Sequence, residues 1–119
     1  MRIVNPTARL GEEIATKFLS KKGYKIIDRN FRRGYGEIDI IAVKDKTLVF
    51  VEVKTANSTF LISPLEHINY FKLKTLTRSA EFYKSIHPEL PSAMRIDAIA
   101  VQIDSMGNSK IEHVENISV

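Results

Sequence analysis

The strongest constraint on the fold is a pair of neighbouring segments, 37–43 and 47–55, in which apolar residues recur at every second position. Both segments are rich in Ile and Val and only three residues separate them, which predicts an antiparallel β-hairpin. A two-residue turn would pair Lys44 with Thr47. Such a hairpin must bury its apolar surface against other elements, so it requires a larger sheet or covering helices.

Each predicted strand has one wholly apolar face and one face on which charged residues replace apolar ones. The apolar faces consist of Ile38, Ile40 and Ala42 on the first strand and Val49, Val51 and Val53 on the second. On the other face, the register places Asp39 opposite Glu52 and Glu37 opposite Lys54. Directly opposed like charges destabilise a sheet, so this pairing predicts a compensating cation. The alternative is an exposed face whose charges are solvated and pair weakly.

The other elements complete an α/β pattern. Asn5 followed by Pro6 predicts the start of a first helix, and the Ser-Pro-Leu-Glu pattern at 63–66 predicts a capping box for a second helix. The predicted elements are helix 6–22, strands 24–31, 37–43 and 47–55, helix 64–86, and strands 94–103 and 110–117. We therefore expect a mixed central β-sheet of about four or five strands, flanked by helices, in the order α-β-β-β-α-β-β.

Composition excludes several classes of protein. The chain has 119 residues, of which 44% are hydrophobic, so we expect a single α/β domain over residues 1–119. The absence of cysteine excludes disulfide frameworks and thiolate zinc sites, and it is typical of the cytoplasm. Neither an apolar leader nor a run of about 18 apolar residues is present, so we expect no membrane association.

Basic residues are concentrated near the start of the chain. Residues 1–33 contain nine Lys or Arg against three Asp or Glu, although the whole chain has a net charge of only +4. The basic side chains are Arg2, Arg9, Lys17, Lys21, Lys22, Lys25, Arg29, Arg32 and Arg33. Such a distribution favours a polyanionic partner such as nucleic acid, and its alternative is an ordinary solvated surface.

Both predicted helices carry a charged residue near their apolar face. On the first helix, Glu12 borders the apolar stripe, whereas Glu13 points away from it. On the second helix, Lys72 falls inside the apolar stripe. A lysine in this position either extends its amine to solvent or meets buried acids, and the hairpin supplies such acids.

Two short motifs in the hairpin resemble a known superfamily. The residues GEID at 36–39 and FVEVKT at 50–55 resemble the core of the PD-(D/E)XK nucleases, in which an acid on one strand precedes Glu-x-Lys on the next. Further matching positions are Gly11, Glu12, Ala15, Arg29, Asn30, Phe31, Lys72, Arg95, Ile96 and Asp97. With these, nearly the whole chain resembles the YraN-like family of uncharacterised bacterial proteins, akin to archaeal Holliday-junction resolvases.

The resemblance implies a restriction-endonuclease-like core and a metal-dependent endonuclease acting on DNA, with structured or branched DNA as a substrate. Asp39 and Glu52 would bind Mg²⁺ or Mn²⁺. Glu12 would assist as a ligand or through a water molecule. Lys54 would position the nucleophilic water. The resemblance thus assigns catalysis to four residues, and metal binding to two of them.

The expected contacts with nucleic acid lie outside this group. Lys72 would contact phosphate, and Arg32 and Arg33 would contribute to DNA binding. We expect the aromatic residues of the second helix to be core or edge residues rather than base-stacking platforms; they are Tyr70, Phe71, Phe82 and Tyr83.

Two other functions stay open. The first is a non-catalytic nucleic-acid-binding or protein-interaction module that retains the nuclease fold, because a fold does not determine an activity. The second is a homodimeric subunit of a larger complex.

Overall fold

The structure is a computed structural model that describes residues 5–33, 35–57, 66 and 68–117. Its elements are α1 (Pro6–Lys21), β1 (Lys25–Phe31), β2 (Ile38–Lys44), β3 (Thr47–Ala56), α2 (Tyr70–Ile86), β4 (Ala93–Ile103) and β5 (Ser109–Val114). The order of helices and strands is the predicted one. The prediction of an α/β fold with a mixed sheet flanked by helices is therefore confirmed.

The five strands form one sheet in which the spatial order is the chain order, β1-β2-β3-β4-β5. β3 and β4 run parallel, whereas the other neighbouring pairs are antiparallel. A parallel pair needs a crossover connection, and α2 lies within it. The predicted hairpin register is confirmed, because Lys44 pairs with Thr47 and Ile40 with Val51.

The two helices cover opposite faces of the sheet, so the protein has three layers. One buried cluster joins residues of α1 to one face; it contains Ala15, Leu19, Tyr24, Ile40, Ala42, Val49, Val51, Val53, Ile99, Val101 and Ile103. The other joins α2 to the opposite face and contains Phe31, Ile38, Ile41, Leu48, Phe50, Leu76, Ala80, Tyr83 and Ile96. In β3, the odd-numbered residues face α1 and the even-numbered residues face α2, as the period of two requires.

One apolar residue departs from its predicted face. Ile38 packs in the α2 cluster with Phe31, whereas Ile40 and Ala42 pack in the α1 cluster. Phe31 follows directly after Asn30, whose φ of +52° lies in the left-handed region. Ile38 is the strand partner of Phe31, and the two residues pack in the same cluster.

The start of the second helix also differs from the prediction. The capping-box pattern at 63–66 predicts a helix from residue 64, but α2 begins at Tyr70, after Ile68 and Asn69 in non-helical conformations. The side chain of Asn69 is the observed cap and accepts a hydrogen bond from Lys72 N at 2.9 Å. A second strong capping residue near the apolar stripe makes the later start favourable. Residues 63–65 lie outside the described residues.

The first helix begins as predicted. Asn5 Oδ1 accepts hydrogen bonds from the backbone N–H groups of Thr7 and Ala8, and Pro6 occupies the first helical position. The chain turns after α1 at Gly23, whose φ of +91° favours glycine. Among the described residues, neither helix is long and apolar enough to cross a membrane.

Candidate metal centre

Asp39 lies where β2 and β3 stop pairing through their backbones. The last backbone pair of the ladder is Ile40 with Val51, and one step further Asp39 Oδ2 accepts a hydrogen bond from Val53 N at 2.7 Å. The carboxylate thus occupies the place of a strand carbonyl, which fixes its orientation. Only 8% of Asp39 is exposed.

Glu52 is the second buried acid of the hairpin, with 4% of the residue exposed. Two lysines approach its carboxylate: Lys54 Nζ lies 3.9 Å from Oε1 and Lys72 Nζ lies 3.3 Å from Oε2. Lys72 therefore meets a buried acid, which was one of its two predicted outcomes. Within the part of the chain that the structure describes, Glu52 Oε2 accepts no hydrogen bond of good geometry, so this oxygen retains capacity for a cation.

Burial and charge combine to change the protonation of Asp39. Loss of solvation, followed by the negative charge of Glu52, raises the pKa of Asp39 to about 8, and the hydrogen bond from Val53 N only partly opposes this rise. Burial beside Glu52 therefore favours the protonated form of Asp39 when no cation is bound. The expected proximity of the two hairpin acids is present, and it is electrostatically unfavourable when both are ionised.

Two further carboxylates join Asp39. Oxygen atoms of Glu12, Glu37 and Asp39 lie within 4.8 Å of one another. Asn30 Nδ2 links two of these acids, because it donates to Glu12 Oε1 at 2.7 Å and to Glu37 Oε1 at 3.0 Å. Glu52 lies beside this group rather than in it. The tightest set of possible ligands is thus a triad of acids, next to the predicted Asp39 and Glu52 pair.

A close helix–strand contact delivers Glu12 to the group. A Cβ atom placed on Gly11 would lie 1.9 Å from Thr55 Oγ1 and 2.7 Å from Thr55 Cγ2. Only a glycine allows α1 to approach β3 so closely, and Glu12 follows in the next position. As predicted, Glu12 is half-buried, whereas Glu13 is exposed and pairs with Arg29.

The predicted arginines lie at the margin of the site. Arg32 and Arg33 are both exposed in the segment after β1. Arg32 Nε lies 3.6 Å from Glu37 Oε2, and the Arg33 guanidinium lies 5.8 Å from the centre of the Phe82 ring. The structure thus brings Arg32 next to the acids and directs Arg33 toward α2. Their binding of nucleic acid stays a prediction.

The sequence analysis named Glu37 and Asn30 but assigned neither of them to the site. Glu37 shares a strand face with Asp39, and that signal was available in the alternation. Asn30 gave a weaker signal, since its role depends on the left-handed backbone that asparagine tolerates better than most residues. Neither signal indicates that α1 brings Glu12 to the same place.

The composition of the site fits a hard divalent cation. All the candidate ligand atoms are carboxylate oxygens, which Mg²⁺ and Mn²⁺ prefer. Among the described residues Glu52 Oε2 has no hydrogen-bond partner, and the raised pKa of Asp39 reflects the cost of placing two acids together in a buried site, which a bound cation would relieve. These residues are therefore suitable for holding such an ion.

A third buried acid, Asp97, lies on the α1 face and is fully buried. Its oxygens accept hydrogen bonds from Arg95 Nε at 3.0 Å and from Asn116 N at 2.9 Å, and His113 Nε2 lies 2.8 Å from Oδ2. Burial alone would raise the pKa of Asp97, but the hydrogen bonds with His113 and Arg95 outweigh it, so the pKa is lowered. Ile117 N also donates to a β4 carbonyl, so this network ties the segment after β5 to the sheet.

Fold and site together define an α/β protein in which buried carboxylates and two lysines meet at the end of a hairpin in a mixed sheet. The profile of the uncharacterised protein family UPF0102 matches residues 11–101, and the chain belongs to this family. The predicted membership of the YraN-like family is thereby confirmed.

Relatives in this family cover most of the chain. A UPF0102 protein of Syntrophomonas wolfei is 42% identical over 106 residues, which cover 89% of this chain and 91% of that protein. A UPF0102 protein of Thermotoga maritima is 43% identical over 106 residues, with the same two coverages. Among solved structures, SfsA of Pyrococcus furiosus in complex with Ca²⁺ aligns with a TM-score of 0.47 and 17% identity. That alignment covers 91% of this chain and 63% of SfsA.

Proposed function

We propose that this protein is a metal-dependent endonuclease that hydrolyses phosphodiester bonds in DNA. The resemblance to Holliday-junction resolvases favours structured or branched DNA as the substrate. The proposal rests chiefly on one observation: Asp39 and Glu52 are almost completely buried, and the two lie close enough for the charge of Glu52 to affect Asp39. The alternative of a solvated sheet face requires exposed acids, and burial of both removes that alternative.

The acids would hold Mg²⁺ or Mn²⁺, and Asp39 would be a ligand in either of the two candidate sets. Asp39 belongs to both candidate sets, since it lies with Glu12 and Glu37 and also next to Glu52. Asn30 would keep Glu12 and Glu37 in place by its two hydrogen bonds. When bound, the ion supplies charge neutralisation for the phosphate and makes a water molecule more acidic.

The two lysines would have separate roles in the hydrolysis. The reaction joins a water oxygen to phosphorus and breaks the bond from phosphorus to the sugar oxygen, so the water loses a proton and the leaving oxygen gains one. Lys54, which is next to Glu52 and half-buried, would orient the water by donating a hydrogen bond. Lys72 would donate to a phosphate oxygen, where its charge stabilises the pentacoordinate transition state.

A cleavage assay tests this proposal. Purified protein is incubated with duplex, single-stranded and four-way-junction DNA, with Mn²⁺ or Mg²⁺ and with EDTA. We expect cleavage only with the metal, and a loss of about a hundredfold or more in Glu52→Gln and in Lys54→Ala. The matched controls are Glu89→Gln and Lys110→Ala, which change exposed residues of the same types and should cleave normally.

Two outcomes contradict the proposal. Cleavage that survives in Glu52→Gln would show that the cutting does not depend on this site. Metal-independent binding of DNA without cleavage would favour the non-catalytic module, which needs the same fold but not the same carboxylates.

A further inference from the structure

Two aromatic side chains at the start of α2 are exposed, contrary to the prediction for them. Tyr70 is 69% exposed and Phe71 is 76% exposed, whereas Tyr83 is 3% exposed and Phe82 packs against the core. The rings of Tyr70 and Phe71 contact each other edge to face, with centroids 5.7 Å apart. Large aromatic rings in solvent indicate a binding surface when they are adjacent rather than scattered.

Cationic side chains continue this surface along the helix. Lys74 and Arg78 follow Tyr70 at intervals of four residues, so all three lie on one side of α2. Lys74 Nζ lies 6.0 Å from the centre of the Tyr70 ring. We call Tyr70, Phe71, Lys74 and Arg78 the aromatic-cation stripe; at 1.5 Å per residue it extends for about 12 Å.

A third exposed aromatic ring lies at the far end of the stripe. Tyr35, which precedes β2, is 59% exposed, and the Arg78 guanidinium lies 5.6 Å from the centre of its ring. A depression between this segment and the helix is lined by Tyr35, Arg78, Glu81 and Phe82. The surface thus presents aromatic rings at both ends and cations between them.

The first turn of α2 carries both the start of the aromatic-cation stripe and Lys72, which contacts the candidate metal centre. Lys72 belongs to the same first turn of α2 as Tyr70 and Phe71, and its Nζ lies 3.3 Å from Glu52 Oε2. At 100° per residue, Phe71 lies between Tyr70 and Lys72 around the helix. Phe71 thus lies next to Lys72 along the helix and between Lys72 and the rest of the stripe around it.

We infer that the aromatic-cation stripe binds unpaired nucleotides, so that the substrate of the proposed nuclease contains a single-stranded segment next to the bond that is cut. Bases stack on Phe71 and Tyr70, and phosphates contact Lys74 and Arg78. This inference rests on the proposed function for the position of the cut, but not for the binding itself.

The exposed aromatic rings favour single-stranded nucleic acid over duplex nucleic acid, because unpaired bases can stack on them. In a duplex the faces of the bases are covered by their neighbours, so exposed rings contribute little to duplex binding. Unpaired bases offer their faces, and proteins that bind single strands combine such rings with a positively charged path for the backbone. The four members of the stripe provide both parts, with two cations and no acid among them.

Equilibrium binding in EDTA tests the inference without any cleavage. Fluorescence anisotropy compares a labelled oligothymidine with a blunt-ended hairpin duplex of similar charge. We expect tighter binding of the single strand, and a loss of roughly tenfold for that ligand in Phe71→Ala. Phe71→Trp should retain the affinity and Phe71→Leu should not, because leucine keeps the apolar bulk but lacks the ring. Ile86→Ala removes an exposed apolar side chain at the other end of α2 and should change nothing.

A salt series tests the cationic part. Each phosphate contact adds about 0.7 to the slope of log K against log salt for single strands, so Lys74→Ala and Arg78→Ala should each lower that slope by about this amount. An unchanged slope in both variants overturns the role of these cations.

Each result of the binding experiment has one interpretation. Equal affinity for the two DNA forms, full affinity in Phe71→Leu, or no affinity for the single strand at low salt overturns the inference. The proposed function fails separately: stacking-dependent binding without metal-dependent cleavage refutes the nuclease and leaves the stripe. Cleavage with unchanged binding in Phe71→Ala refutes the stripe and leaves the nuclease.

Discussion

Asp39 and Asp97 are both buried aspartates, and their partners determine what each can do. Asp97 accepts hydrogen bonds from the Arg95 guanidinium at both oxygens and from Asn116 N at Oδ1, so its charge is balanced and its pKa is lowered. Asp39 has one backbone donor and acidic neighbours, so desolvation and repulsion raise its pKa to about 8. A balanced buried acid stabilises the fold, whereas an unbalanced one is suited to binding a cation or moving a proton.

The raised pKa of Asp39 has a consequence for stability. The unfolded carboxyl titrates near its ordinary value of 3.8, so between there and pH 8 the folded state binds more protons than the unfolded state. The free energy of unfolding therefore falls as pH rises through this window. Urea unfolding in EDTA should show this fall in wild type and a smaller fall in Asp39→Asn, whose amide oxygen can still accept from Val53 N.

The control for this prediction is Asp45→Asn. Asp45 lies in the hairpin turn with 85% of its side chain exposed. Loss of its charge should therefore leave the pH dependence of the free energy of unfolding unchanged. Parallel pH profiles for wild type and Asp39→Asn would contradict the assignment of the titration to Asp39.

At the level of single residues, the sequence predicts correctly the positions that depend only on the alternation of faces along a strand. The period of two and a two-residue turn suffice to place Asp39 near Glu52 and to place Lys54 on the same face. The contributions of Asn30 and Gly11 depend on a left-handed backbone and on a helix–strand contact. Neither follows from periodicity, because both arise only once distant segments have packed.

Among the elements, α1 is positioned by the contact between Gly11 and Thr55. Glycine to alanine in a solvated helix interior is normally stabilising, but here the added methyl would collide with Thr55. We expect Gly11→Ala to lower the free energy of unfolding by about 1–3 kcal/mol and to displace Glu12 from the other acids. Urea unfolding measures the first effect, and the stabilisation by Mn²⁺ measures the second.

A double-mutant cycle tests whether the contact between Gly11 and Thr55 causes the loss of stability. Thr55→Gly removes the colliding side chain, so Gly11→Ala should cost less in that background than in wild type. Ser20→Ala, an exposed change on the same helix, should have almost no effect. Independent, additive losses in the cycle would show that Gly11 matters for another reason.

The helices and strands were predictable to different degrees. The hairpin has strong alternation and a short turn, and its bounds differ from the observed strands by only one residue at either end. The second helix was predicted to start about six residues too early, because two capping patterns precede the same apolar stripe. Sequence alone does not show which of the two caps is used, because their capping free energies differ by only a fraction of the free energy that the helix gains from packing.

For the molecule as a whole, the proposed metal centre links ligand binding to unfolding. A cation that binds only the folded state stabilises it by mass action, by about 2.7 kcal/mol at a concentration a hundredfold above its Kd. Titration of the EDTA-treated protein with Mn²⁺ should raise the Tm by several degrees. Asp39→Asn and Glu52→Gln should lose most of this rise, and Glu89→Gln should keep it.

The Tm is measured by thermal unfolding that is monitored by circular dichroism. A Tm that does not change up to millimolar Mn²⁺ in wild type would contradict the metal centre. An equal rise in all four proteins would assign the ion to another place on the surface.

The proposed catalytic residues and the proposed recognition residues come from different stretches of the chain, whose strands also follow each other in the sheet in chain order. The clustered acids and Lys54 all come from the part of the chain that ends with β3, whereas Lys72 and the aromatic-cation stripe come from α2. In the proposed enzyme, the bond-breaking groups and most of the recognition surface therefore occupy consecutive stretches. Exchanging the solvent-facing residues of α2 can redirect substrate choice while the hairpin stays intact, which makes this helix the natural target for engineering new specificities.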